Sequence, residues 1–160
     1  MKRIRAGLVA LTTVSLALTV GAAGPAHASA PQESVVADIA SGPFHIMVTA
    51  SRAVTSAPNT ATGVFTAQFK LGSTSVFTLH GPVTCLDIRG GNVGLFYPIT
   101  SSTPALFAQL HSGVFIYLAA AQGALPARAG FLPVPIATTK SCAPGAALLP
   151  VTSGSISITG

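Results

Sequence analysis

The chain has 160 residues, 49% of them hydrophobic and only 7% charged, with 16 glycines, 12 prolines, two cysteines and no tryptophan. That length suits one domain. Short apolar runs cut by Gly, Pro, Ser and Thr exclude a disordered chain, and a single Glu beside three Lys excludes a long helical bundle.

The formal net charge of +5 suggests an acidic partner until the charges are located. Lys2, Arg3 and Arg5 precede the uncharged run Ala6 to Val20, and small residues follow through Ala26-His27-Ala28-Ser29-Ala30. A basic head, an apolar run and a small-residue site make the layout of a secretory signal peptide. Residues 1–30 are therefore expected to be cleaved, after Ala28 or Ala30, leaving 31–160 as a single domain. The apolar run is short of the roughly twenty residues that span a bilayer. Removal leaves five basic against three acidic side chains, a net charge of +2. With no basic run interleaved by aromatics, nucleic acid is not an expected partner, and no second apolar span points to a membrane. The expectation is an exported, extracellular domain, monomeric or a weak homo-oligomer.

The mature chain reads as strands in sequence. Ala30 to Glu33 is taken as a loose terminus. Phe44 to Ser51 alternates apolar and polar residues, Thr55 to Thr62 carries turn chemistry, and Phe65 to Leu71 alternates most clearly of all. Gly72-Ser73 turns into Thr74 to His80, Gly81-Pro82 punctuates, and Val83 to Arg89 continues as a central strand. Gly90-Gly91-Asn92 then reverses into Val93 to Ile99, whose Pro98 suggests an edge. These hairpins together predict one antiparallel meander. Thr103-Pro104 opens a short helix through Gln109 or a strand. Val114 to Ala119 is apolar enough to be covered on both faces. Gly123 to Pro144 holds four prolines and reads as irregular, and Ser155 to Thr159 is a last strand. The fold class is all-β, an antiparallel barrel or sandwich of about seven to nine short strands with room for one short helix.

In an exported chain, Cys85 and Cys142 are most simply one disulfide, tying the proline-rich segment to the sheet. A free catalytic thiol is the rival and needs a neighbouring His.

Little else promises chemistry. Glu33 lies in the supposed loose terminus, so Asp38 and Asp87 are the one candidate carboxylate pair, and Asp87 is better matched by Arg89 two residues away. His45, His80 and His111 lack any spacing that puts two on one face, so no metal site is assigned. No nucleophile elbow or phosphate-binding glycine pattern occurs. Leu149-Pro150-Val151-Thr152-Ser153 approaches a cell-wall sorting pattern but ends in Ser where Gly belongs, and is read as coincidence. No cofactor and no catalytic residue is assigned.

The stretch Gly81-Pro82-Val83-Thr84-Cys85-Leu86-Asp87-Ile88-Arg89-Gly90-Gly91-Asn92 resembles a G-x-V-T-C-L-x-V-x-G-N pattern of small secreted β-rich proteins of high-GC Gram-positive bacteria. The likeness extends to the Phe-rich strands before it, the second Cys in a Pro-rich stretch and the closing strand ending at Ile158. It implies export, β architecture and the cysteine pairing, and no activity. The chain departs from the pattern at Ile88, at an extra Gly before Asn92, and at Ala120-Ala121-Gln122-Gly123 in place of an acidic turn.

The functional expectation is a non-catalytic module that is surface-associated or binds a ligand, its partner a small apolar molecule or a cell-envelope component. Val114 to Leu118 is core or an apolar groove. The alternatives are a secreted enzyme using Asp87, His45, His80 or His111 in a barrel cavity, and a self-associating envelope component.

Overall fold

A computed structural model describes residues 30–71 and 75–160. The expected signal peptide falls outside the described residues except for Ala30. Among those described, eleven strands form two antiparallel sheets packed face to face: β1 Gln32–Ser41, β2 Phe44–Ala53, β3 Thr62–Leu71, β4 Ser75–Pro82, β5 Cys85–Arg89, β6 Asn92–Pro98, β7 Ser101–Thr103, β8 Gly113–Ala119, β9 Arg128–Val134, β10 Leu149–Pro150 and β11 Ser153–Thr159. The first sheet has the order β11-β1-β2-β3-β4-β7 and the second β10-β9-β8-β6-β5. The architecture is a sandwich, not a closed barrel.

Register follows from the alternation of side chains. Pairing of Ala37 with Val48 and of Val48 with Phe65 lines up the apolar residues of β1, β2 and β3 on one face. Val35, Ile39, Ile46 and Ala67 share that face and are buried. A slip of one residue would turn the whole set to solvent, so this pattern pins the pairing. The opposite face stays wet, with Asp38, His45, Thr49, Gln68 and His80 exposed.

In the second sheet most of β5 and β6 is buried on both faces, whereas Leu132 of β9 and the short β10 stay exposed. Val93, Leu95 and Tyr97 of β6 enter the core between the sheets together with Ile99, while Phe96 points to the outside and joins Cys85 and Cys142 in a second, smaller core. Residues 135–148 lie across this outer face, held by the Cys85–Cys142 disulfide. Gly94 makes the close approach possible: a Cβ there would sit 2.0 Å from the carbonyl oxygen of Cys142. The expectation for Val114 to Ala119 is met in the same way, with Val114, Ile116 and Leu118 inside and Phe115 packed under the covering segment.

Several sequence expectations are corrected. Residues 32 and 33 are not loose, because β1 begins at Gln32 and pairs with both β2 and β11. The meander breaks at Gly81–Thr84, where the chain leaves the first sheet for the second. The Val83 amide still donates to Gly63 O, whereas the Thr84 amide donates to Phe96 O. Cys85 therefore lies on the edge strand β5, not on a central one. Pro98 ends β6, which runs between β5 and β8 and is no edge. The proline-rich stretch contains a strand, β9, whose Pro133 lies beyond the two residues that β10 covers and so faces no further strand.

The short helix exists as Leu106–Gln109, but Thr103 does not cap it. Thr103 pairs with Thr78 in β7, and the cap is Ala105. Ser102 supplies the polar group instead, its Oγ accepting from the Ala108 amide at 3.0 Å. The sorting-like segment Leu149 to Ser153 is the crossover between sheets: Pro150 pairs with Arg128 in one, and the Thr152 amide donates to Ala40 O in the other.

Candidate functional site

The residues singled out for chemistry are scattered. Asp38 does not approach Asp87. It lies 2.7 Å from Nε2 of His45 across the β1–β2 hairpin, on the wet face of the first sheet. His80 stands elsewhere on that face, its Nδ1 3.1 Å from Thr66 Oγ1. His111 is exposed in a loop with a φ of 47°. Asp87 is buried and accepts from Arg89 Nη2 at 2.6 Å and from Nε at 3.2 Å. That hydrogen bond and the carboxylate charge raise the guanidinium pKa of Arg89 above its ordinary value. Glu33, corrected from a loose end, forms a largely buried ion pair with Arg52 at 2.6 Å. Among the described residues no three His, Cys, Asp or Glu side chains cluster as metal ligands. Cys85 and Cys142 are joined, so neither is a free thiol.

What the fold does assemble is a cavity of about 860 Å³ between the sheets. Phe44, Ala67, Phe69 and Leu79 line it from the first sheet, and Tyr97, Val114, Ile116 and Phe131 from the second. Phe107 and Leu110, at and just after the helix, stand on one side of it, and Pro133, Pro135 and Leu149 complete the wall. The volume is within the range of small-molecule sites, about 300–1,000 Å³, and such sites are mostly apolar with a few polar groups.

Aromatic packing frames this space. Phe44 meets Phe131 across the two sheets with ring centroids 4.5 Å apart, and Phe69 stacks on Phe77 at 4.8 Å. Phe107 stands edge-on to both Phe69 and Phe77. Deeper in, Phe65 and Tyr97 stack at 3.9 Å. Rings that brace one another hold a space open where flexible aliphatic side chains would collapse into it.

Polar groups are few. Lys70, Ser112 and Tyr97 are the lining residues with a polar side chain, and Tyr97 is only 1% exposed. Burial pushes its phenol pKa well above the ordinary value, and no charge or hydrogen bond contributes. Leu110 and Leu149, which also line the cavity, are exposed, as are Leu106 next to the helix start and Ile136 just past Pro135. Exposed apolar side chains beside a hollow are a common mark of a ligand entrance.

Sequence reasoning offers Val114 to Leu118 as core or an apolar groove, and Val114 and Ile116 do line the cavity, but most of the other lining residues read as ordinary core or loop. One signal was present: Phe44, Phe69 and Phe77 all fall at strand ends that adjoin hairpins, which places three rings at one end of the sheet.

A smaller recess of about 410 Å³ is lined by Asn59, Thr84, Thr138, Thr139 and Lys140, with Thr84 Oγ1 sealed from solvent. No helix among the described residues is long and apolar enough to cross a membrane. Comparison with family models, curated proteins and solved structures finds no match to this chain.

Proposed function

We propose that this chain is an exported, non-catalytic binding protein that carries a small apolar molecule in the cavity between its sheets. The observation that carries the reading is the hollow itself, about 860 Å³ walled by aromatic and aliphatic side chains, with no ionisable pair converging on it. An apolar occupant gives up its contact with water and gains dispersion contacts with these walls. The basic head and apolar run at the N-terminus, together with the Cys85–Cys142 bridge, support an oxidising compartment outside the cell.

Burial of apolar surface supplies the affinity. Each methylene that enters adds about 0.8 kcal/mol, roughly fourfold in affinity, until the cavity is full. The test is fluorescence enhancement of N-phenylnaphthylamine by the mature protein, followed by displacement with alkyl compounds of increasing length. Saturable binding that tightens with chain length and then levels off is expected. Val114→Phe and Ala67→Leu, which fill the space, weaken the dye at least tenfold while keeping the β circular-dichroism spectrum. Dye binding that is absent in the wild type, or unchanged in folded filled variants, overturns the reading.

A further inference from the structure

We infer that the rim of this cavity docks on an anionic lipid surface, from which the occupant enters and to which it returns. This rests on the cavity reading and adds the partner with which the ligand is exchanged.

The exposed aliphatic side chains are not spread evenly. Of the exposed Leu and Ile side chains among the described residues, Leu110 and Leu149 line the cavity, Leu106, Leu132, Ile136 and Leu148 adjoin a lining residue in sequence, and Leu125 adjoins none. Leu110 and Leu149 fix the mouth, because each lines the hollow and is also exposed, at 59% and 40%. Leu106 opens the short helix and Leu110 caps it in helical conformation, so the two, four residues apart, share one face. Ile136 belongs to the same rim in space: its carbonyl lies against Gly113, between the lining residues Ser112 and Val114. The wet face of the first sheet differs, since its exposed Val36, Met47 and Val64 are interspersed with Asp38, His45 and Thr49.

A second protein chain fits this rim poorly. A few half-exposed side chains on a helix, a strand end and a loop fall well short of the roughly 20–30 residues a side of an ordinary protein interface. A lipid surface asks for less, namely aliphatic side chains sunk among the headgroups and attraction to anionic lipid. The charges agree. Lys70 is the one charged residue in the lining, and it enters no ion pair among the described residues. Glu33, Asp38 and Asp87 are paired with Arg52, His45 and Arg89, and none of the three lines the cavity. The potential of an anionic bilayer extends about 10 Å into the solution, so a cation at the rim feels it whichever way its side chain turns. An occupant matched to aromatic and aliphatic walls also prefers a bilayer to water, which puts its source and its destination at a lipid surface.

The experiment is co-sedimentation of the mature protein with vesicles of phosphatidylcholine mixed with phosphatidylglycerol, and with vesicles of phosphatidylcholine alone. Saturable binding, tighter to the mixed vesicles, is expected. Leu106→Ser combined with Ile136→Ser should weaken it at least tenfold. Neither residue lines the cavity, so this variant should bind N-phenylnaphthylamine in solution as the wild type does. Lys70→Gln should lower affinity for the mixed vesicles about fivefold and leave that for phosphatidylcholine unchanged. Val64→Ser, an equal loss of exposed apolar surface on the wet face, should change neither. A wild type that binds no vesicles overturns the docking, as does a loss in Val64→Ser as large as in the rim variant, and either result leaves the cavity reading standing on its dye binding. A homodimer in lipid-free sedimentation velocity that the rim variant dissociates gives the rim to a second copy and also overturns the docking. Vesicle binding through the rim by a wild type that takes up no dye overturns the carrier reading alone.

Discussion

The six-stranded sheet has one wet face while the five-stranded sheet has its outer face covered over β5 and β6, and the two reach their burial by different physical means. In the first sheet, strands β1 to β3 gain their order locally, through hairpins and an alternating pattern that a single register satisfies. In the second, the outer face of β6 and β8 is apolar, and it is dry only because residues 135–148 are laid over it from a distant part of the sequence. Local alternation stabilises one layer, and a covalent tie stabilises the cover of the other. Perturbations of the cover should therefore be felt in β5, β6, β8 and β9 and hardly at all in β1 to β3.

The largest expected effect comes from cutting the tie. Replacing Cys85 and Cys142 together by Ala frees a loop of sequence separation 57. In the chain-entropy account this costs about 4 kcal/mol. Urea unfolding of the protein should show that loss, and hydrogen exchange should speed up first in the second sheet. Equal acceleration in both sheets would show that the cover supports the whole sandwich.

Next comes the space beneath the cover. Gly94→Ala places a methyl 2.0 Å from the Cys142 carbonyl oxygen, so backbone has to shift. A loss of about 1–3 kcal/mol is expected, as for other overpacked sites. If the Ala variant is as stable as the wild type, the segment over β6 is less tightly seated than its geometry indicates.

Between the layers, Tyr97 makes stability depend on alkaline pH. Its phenol pKa in the folded protein is raised above the unfolded value of about 10, so the fold favours the neutral form. The stabilisation is complete below about pH 10 and is lost as pH rises beyond it, at up to about 1.4 kcal/mol per pH unit. Tyr97→Phe should remove that limb from a plot of unfolding free energy against pH. A limb that persists in the Phe variant would assign it to other groups.

Much of this contrast is visible in the residues alone. The alternation around Phe65, the Gly90-Gly91-Asn92 turn and the closing Ile156/Ile158 strand are read correctly from their period and turn chemistry. Strand β1 escapes because Val36 and Ala40 sit on its wet side and blur the period, and β9 because Gly130 and Pro133 resemble loop punctuation. The meander fails at Gly81–Thr84 because switching sheets is a tertiary choice that leaves the local pattern unchanged. The cavity is the least legible feature of all. Whether eight inward side chains from two sheets fill a space or leave a hollow depends on their summed volume and on where the layers stop approaching, which no single window of sequence contains.

The smallest effect belongs to the wet face. Val64 is 68% exposed, between Thr49 and Pro82 in the register. Val64→Thr exchanges one β-branched side chain for another and removes little apolar surface from any contact, so stability should stay within about 0.5 kcal/mol. The same exchange at Val93, which is fully buried in β6 between Ile88 and Leu118 in the register, sets a hydroxyl in the apolar core. That buried hydroxyl should cost about 1–3 kcal/mol. The ratio between these two valines measures how differently the layers use one residue type, and urea midpoints that coincide would mean that both faces are equally wet in solution.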